Sequence, residues 1–321
     1  LDYALPQNAT VVKPNRKMVT ITGFMVGAMI PFLIIILIGY FNTTITDIKD
    51  IQGKTSAPII GLIGHNGIDS ELPVAINPKS TLAESFRGMR TNLGYILRES
   101  NKKVVMVTST ISGEGKTFIA VNLAIITALT GKRVLLVGMD LRKPKLNSVL
   151  ETPGQTGLST YLIGKDDLES VVFKTKYDNL FITPSGPIPP NPAELIGLNR
   201  MDEFIQKANE RFDLIIIDTP PVAIVTDTIV ASRFSDAILY ITRFNFTNRE
   251  AVTLVETLKT KDEGKNVAVV VNDVIHKGRY GYSYGYGFAY GSKYYYYRDS
   301  DYYSDEDKPL TLKDKVFRFF S

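Results

Sequence analysis

The stretch "VTSTISGEGKTFIAVNLA", residues 107–124, joins an apolar run to a helix-like pattern through a glycine-rich turn that ends in Lys-Thr. This arrangement suits a phosphate. Consecutive backbone N–H groups and the positive end of a helix make a concave anion site. Gly113 and Gly115 let the backbone approach closely, and Lys116 sets a cation on the outer phosphates. The Thr117 hydroxyl is placed to bind Mg²⁺. Thr110 stands where the full motif G-x-x-x-x-G-K-[ST] has its first glycine. Two carboxylates complete the set: Asp140 in "VLLVGMDLRKPKL" and Asp218 in "FDLIIIDTPP", each just past an apolar run. At the carboxyl ends of parallel strands they share one rim with the phosphate loop and converge on the metal and the phosphates.

That convergence requires a parallel sheet, and the sequence supplies its strands. "KVVMVTS" (103–109), "RVLLVGM" (133–139), "DLIIIDT" (213–219), "DAILYIT" (236–242) and "NVAVVVND" (266–273) are nearly continuous apolar runs, as strands buried on both faces must be. Helical stretches intervene, for example 116–130 and 248–259, which predicts a doubly wound α/β domain with a mostly parallel sheet of P-loop NTPase type. Another helix is expected from "STLAESFRGMRTNLGYILRES", with Ser80 as N-cap and an apolar face formed by Leu82, Phe86, Met89, Leu93, Ile96 and Leu97. Upstream, 42–79 carries Pro58, Pro73, Pro78 and several glycines and reads as a polar linker.

Residues 18–41, "MVTITGFMVGAMIPFLIIILIGYF", contain no charged residue and predict a transmembrane helix. At 1.5 Å per residue this segment covers about 36 Å, longer than a hydrocarbon layer of ~30 Å. Gly23 and Gly27 form a G-x-x-x-G pair suited to close helix approach, and Pro31 predicts a kink. Lys13, Arg16 and Lys17 alone would put the N-terminal side in the cytoplasm. A nucleotide site on the C-terminal side must face the cytosol, and that requirement overrides the flanking charges. The chain opens on Leu1 in irregular sequence, so it is expected to be the C-terminal part of a longer polypeptide.

Of 321 residues, 44% are hydrophobic and 22% charged, enough for one main domain with appendages. With no cysteine, disulfide frameworks and zinc clusters are excluded. The two histidines, His65 and His276, read as surface residues, and a formal charge of +4 is too slight and scattered to argue for nucleic acid. The tyrosines are distributed unevenly. Eleven of seventeen lie at positions 280, 282, 284, 286, 290, 294, 295, 296, 297, 302 and 303, spaced by glycine and serine rather than by core residues. Beyond them, "LKDKVFRFF" is suited to a short amphipathic helix within 305–321.

From about Ser80 to Tyr303 the chain resembles the bacterial tyrosine kinases in the form fused behind a polysaccharide co-polymerase membrane domain. The resemblance rests on "SGEGKT", "GMDLRKP", "IIIDTPP", "PPNPAELI" from Pro189, "NDV" from Asn272 and the tyrosine-rich tail. "KPNRK" from Lys13, ahead of the apolar span, looks like the end of the co-polymerase portion, so 1–17 is expected to be extracytoplasmic. The resemblance implies a kinase domain over 80–273, with ATP held by Ser112, Gly113, Glu114, Gly115, Lys116, Thr117 and Phe118. It implies Mg²⁺ at Thr117, Asp140 and Asp218, with Lys116, Asp140 and Asp218 serving catalysis. The family's second motif reads D-x-D-x-R; here Gly138 replaces its first aspartate, so Asp140 must carry whatever is shared, and Arg142 takes a supporting place.

Glu84, Arg87 and Arg90 fit the family's E-x-x-R-x-x-R pattern, which implies a homo-oligomeric ring, an octamer by resemblance; the alternative is a solvated helix face. The tail 274–304 is then a disordered autophosphorylation segment carrying the acceptors Tyr280, Tyr282, Tyr284, Tyr286, Tyr290, Tyr294, Tyr295, Tyr296, Tyr297, Tyr302 and Tyr303. About 22 residues of flexible tether reach roughly 25 Å, enough for a neighbour's site. The implied setting is the bacterial inner membrane with the kinase domain in the cytoplasm, and the implied partners are polysaccharide polymerisation or export machinery and a tyrosine phosphatase. Two other readings stay open: a switch ATPase of the MinD or ParA type, and a chain-length regulator with a weakly active nucleotide site.

Overall fold

The computed structural model describes residues 16–97, 103–222, 227–261 and 266–275. Contacts divide the chain into two units, 1–44 and 45–321. In the first, Arg16–Phe41 forms one helix with Pro31 inside it. Its segment Lys17–Phe41 is long and apolar enough to cross a membrane. Pro31 has no N–H to offer the preceding turn.

The second unit is built on eight strands: β1 (Ile59–Gly64), β2 (Val104–Ser109), β3 (Val134–Gly138), β4 (Phe173–Lys174), β5 (Leu180–Thr183), β6 (Leu214–Asp218), β7 (Ala237–Arg243) and β8 (Asn266–Val274). Their order across the sheet is β1-β8-β7-β2-β6-β3-β5-β4, and every pairing is parallel except the antiparallel edge pair β4–β5. The expected doubly wound sheet is present.

Alternation within the apolar runs feeds two cores. Val104, Met106, Leu135, Val137, Ile215 and Ile217 join one, together with Met201 and Phe204 of the helix Asn199–Arg211. Val105, Val107, Val134, Leu136 and Ile216 join the other, with Ile119 and Leu123 of the helix Lys116–Ala128 and Phe86, Met89 and Leu93 of the helix Thr81–Ile96. Ser80 caps the last of these helices, its hydroxyl accepting from the Ala83 N–H at 3.2 Å. Helices therefore cover both faces of the sheet, as a parallel sheet needs.

One expectation is overturned. Residues 42–79 are not a tether: they contain β1, which pairs with β8, and the short helices Ile48–Gln52 and Pro73–Ile76. Ile45, Ile51 and Ile63 are fully buried. The short run "IIGLIG" sits among prolines and glycines, which hides a six-residue edge strand in a loop-like composition. Gly61 is closely packed, since a Cβ there would meet Met89 Cγ at 3.0 Å. His65, at the end of this segment, is exposed as expected and bonds Asp273 through Nδ1 at 2.6 Å. His276, the whole tyrosine tract and the "LKDKVFRFF" segment lie outside the described residues.

If 45–79 is part of the fold, Ile63→Ala leaves a cavity in the second core and costs about 2 to 5 kcal/mol. Urea denaturation followed by circular dichroism should show that loss, whereas a tether would show none.

Candidate active site

β2 lies near the middle of the sheet, between β7 and β6, and its carboxyl end runs into the loop 110–115 and then into the helix Lys116–Ala128. Gly113 and Gly115 have φ values of 95° and 96°, a left-handed backbone that glycine tolerates without strain. Gly115 is required for a second reason, because a Cβ there would fall 2.1 Å from Asn272 Nδ2. That amide donates to the Glu114 carbonyl at 3.0 Å, so the "NDV" segment at the end of β8 clamps the loop.

Beneath the loop lies a buried carboxyl. Glu114 is fully inaccessible, and its Oε2 accepts from the Ile111 N–H at 2.8 Å while its Oε1 accepts from the Thr247 hydroxyl. Burial pushes its pKa up, against the lowering effect of these hydrogen bonds. Thr110, the residue in place of the motif's first glycine, bonds the buried Tyr240 hydroxyl at 2.6 Å. Tyr240 donates in turn to the Ala251 carbonyl at 3.1 Å. Arg243 donates to the Gly113 carbonyl at 3.0 Å, is held by Asp273 at 2.8 Å, and stacks over Phe246. The loop thus keeps its shape through side chains directed at its carbonyls and inner face.

The catalytic candidates converge. Lys116 Nζ lies 3.1 Å from Asp140 Oδ2, and the Thr117 hydroxyl donates to Asp218 Oδ2 at 2.7 Å. The backbone sets this geometry: Gly138 is the register partner of Asp218, and the N–H groups of Met139 and Asp140 donate to the Asp218 carbonyl at 2.8 and 3.1 Å. Asp140 Oδ1 accepts from the backbone N–H groups of Arg142 and Lys143 at 3.3 and 3.0 Å, which fixes its rotamer. Asp218 Oδ1 is buried without a hydrogen-bond partner. Burial, partly offset by the Lys116 charge and the Thr117 hydrogen bond, pushes the Asp218 carboxyl up to about 6.

An orphaned carboxylate oxygen beside a hydroxyl and a phosphate loop fits a hard cation. Among the described residues no group of three or more His, Cys, Asp or Glu side chains could hold a metal ion. A cation here would therefore rest on two carboxylates, the Thr117 hydroxyl and the ligand's own phosphates, the usual manner of Mg²⁺.

Other expected residues are placed differently. Ser112 is exposed in the loop. The Phe118 ring packs edge-on against Phe86 at 5.9 Å, and the Glu114 side chain turns inward, so these two can offer an anion only their backbone. Arg87 pairs with Glu84 and donates to the Pro78 carbonyl at 2.7 Å, while Arg90 donates to the Ile126 carbonyl at 2.9 Å. Tyr240, Arg243 and Thr247 gave no sequence signal, being single polar residues in and beside an apolar strand. Ser185 gave none either. Its Oγ lies 2.7 Å from where a Cβ on Gly138 would stand, and Leu146 Cδ1 lies at 3.3 Å, so the space for a side chain at 138 is already taken.

A phosphate loop seated on the central strand of this sheet places the chain among doubly wound P-loop nucleotide-binding proteins, and a family model described as an AAA domain matches residues 102–270. The tyrosine-protein kinase YwqD of Bacillus subtilis is 34% identical over 207 residues, which cover 64% of this chain and 87% of YwqD. Tyrosine-protein kinase Wzc of Salmonella typhi is 32% identical over 260 residues, 76% of this chain but only 36% of Wzc. The solved kinase domain of the Escherichia coli tyrosine kinase ETK superposes with a TM-score of 0.67 at 28% identity, covering 74% of this chain and 98% of that domain. The chain belongs to the bacterial tyrosine-protein kinases.

The Asp218 shift has a signed consequence. Its folded pKa lies above the usual 3.8, so the folded state holds this proton more tightly than the unfolded chain does. In the absence of ligand, that contribution is fully present below the unfolded pKa and is lost as pH rises through about 6. Melting temperatures of wild type and Asp218→Asn across this range should diverge, with the asparagine chain gaining on wild type up to about pH 6 and holding a constant difference above.

Proposed function

We propose that this chain is an ATP-dependent tyrosine kinase that phosphorylates its own tyrosine-rich tail, and that it regulates polymerisation or export of a capsular polysaccharide or exopolysaccharide. The observation that carries this reading is the buried, half-partnered Asp218 beside Thr117, with Lys116 and Asp140 on the same rim.

Phosphoryl transfer asks mainly for positioning and neutralised charge. The N–H groups of Gly113 to Thr117 and the helix start receive the ATP phosphates, and Lys116 exchanges Asp140 for the outer phosphates. Thr117, Asp218 and Asp140 would hold Mg²⁺, which supplies charge neutralisation across the phosphates when bound. Asp140, fixed by two backbone N–H groups, is placed to take the proton of the attacking tyrosine hydroxyl, whose ordinary pKa is about 10.

The family setting extends this proposal. The apolar helix would anchor the chain in the bacterial inner membrane with the site in the cytoplasm. The helix bearing Glu84, Arg87 and Arg90 would join neighbours in a homo-oligomeric ring. The intrachain contacts of the two arginines leave donors over, since each guanidinium carries five N–H groups. Each tail would then enter the neighbouring site, and every phosphate would add about 1.5 to 2 negative charges, favouring release. A tyrosine phosphatase would reset the cycle, and the polysaccharide machinery would read it.

Mixing separates the possibilities. A Lys116→Ala chain with an intact tail is incubated with an active chain lacking 276–321, in ATP and Mg²⁺, and phosphotyrosine is mapped by mass spectrometry. Transfer between subunits predicts phosphate on the tail of the Lys116→Ala chain. An unmodified tail in the mixture, with wild type phosphorylated alone, would restrict transfer to one chain. Hydrolysis with no phosphotyrosine even in wild type would replace the kinase reading with that of a switch ATPase.

A further inference from the structure

The segment that follows Asp140 turns its polar backbone inward and its charges outward. The Lys143 N–H is committed to Asp140 Oδ1, while the side chains of Lys143 and Lys145 are exposed at the edge of the site. Lys145 is near enough to act electrostatically on Asp218. Among the described residues neither lysine forms an ion pair with a carboxylate. The other cations at this rim are Arg142, exposed beside Lys143, Lys116, committed to Asp140, and Arg243, committed to Asp273, and they face the carboxylates Asp140 and Asp218. The edge that an incoming acceptor crosses next to Asp140 is therefore cationic.

The tail tyrosines fall into two electrostatic classes. From Tyr280 to Tyr297 there is no acidic residue, and Lys293 is the one cation. Tyr302 and Tyr303 instead sit among Asp299, Asp301, Asp305, Glu306 and Asp307. We propose that the Lys143 and Lys145 edge is an acceptor-selecting surface that takes the acidic-flanked pair Tyr302 and Tyr303 first. This inference rests on the kinase reading above and adds which acceptors the site prefers.

The reaction itself is the same for either class. The tyrosine Oη–P bond forms as the bond between the γ-phosphorus and its bridging oxygen breaks, ADP leaves with the electron pair, and the phenolic proton passes to solvent through the Asp140 carboxylate. The lysines act on encounter and register. Opposite charges within a few ångströms gain from an exposed edge, and the gain is screened as salt shortens the Debye length.

The full chain is given ATP and Mg²⁺, and early phosphorylation is quantified per tyrosine by mass spectrometry. Two variants accompany it: Lys143→Glu with Lys145→Glu, and a tail in which Asp299, Asp301, Asp305 and Asp307 become Asn and Glu306 becomes Gln. Wild type should modify Tyr302 and Tyr303 about fivefold faster per residue than Tyr280 to Tyr297, and either variant should shrink that ratio below about twofold, as should about 0.5 M salt. The tail variant changes none of the described residues, so a misfolded lysine variant does not obscure the result. Even spread in wild type, or a preference that survives the charge changes, overturns the inference while leaving the kinase intact. No phosphotyrosine at any position overturns both.

Discussion

The structure depends on a buried carboxyl under a loop that must keep its N–H groups turned to solvent. A phosphate loop binds anions only while its own donors remain unspent, and a short glycine-rich segment left to itself would collapse onto them. Glu114 reaches beneath the loop to Thr247 and to the Ile111 N–H, while Asn272 and Arg243 hold the carbonyls of Glu114 and Gly113. These partners come from the ends of β7 and β8 and from the turn after β7. The sheet therefore shapes the loop as well as presenting it. Burying a carboxyl is costly unless its hydrogen bonds are made, and here both oxygens have partners. What results is a preorganised concave backbone facing two strand-end carboxylates.

The sequence made the central strands legible because a parallel sheet covered on both faces must be written in valine, isoleucine and leucine. It made the phosphate loop and both aspartates legible because strand, glycine turn and helix start follow one another in the chain. It hid β1, whose six residues at the sheet edge include two glycines and lie among prolines. It hid β5, a four-residue strand. Tyr240 and Thr247 were illegible for another reason: a single hydroxyl in or beside an apolar strand becomes meaningful only when folding brings Thr110 and Glu114 against it. By resemblance Glu114 reads as a nucleotide contact, and only the structure shows its side chain bonding the loop from within.

Gly138 looked from the sequence like a missing carboxylate. In the fold it is a packed position, its side-chain volume already taken by Ser185 and Leu146, so this chain has closed the space rather than left it vacant. On the proposed reading the burden would fall on Asp140, a residue held by two backbone donors and the Lys116 cation. On the same reading the loop and Lys116 would receive phosphate, Asp140 would meet the acceptor hydroxyl, and Asp218 and Asp140 with Thr117 would offer a site for a divalent cation.

The proposed cation site turns on the Asp218 oxygen that is buried without a partner beside the Thr117 hydroxyl and the phosphate loop. Calorimetric titration of ADP into wild type and Asp218→Asn, with and without Mg²⁺, tests it directly. Magnesium should tighten ADP binding to wild type by about tenfold or more, the effect of roughly 1.4 kcal/mol, and should do little for the asparagine chain. Equal magnesium enhancement in both chains would contradict the account.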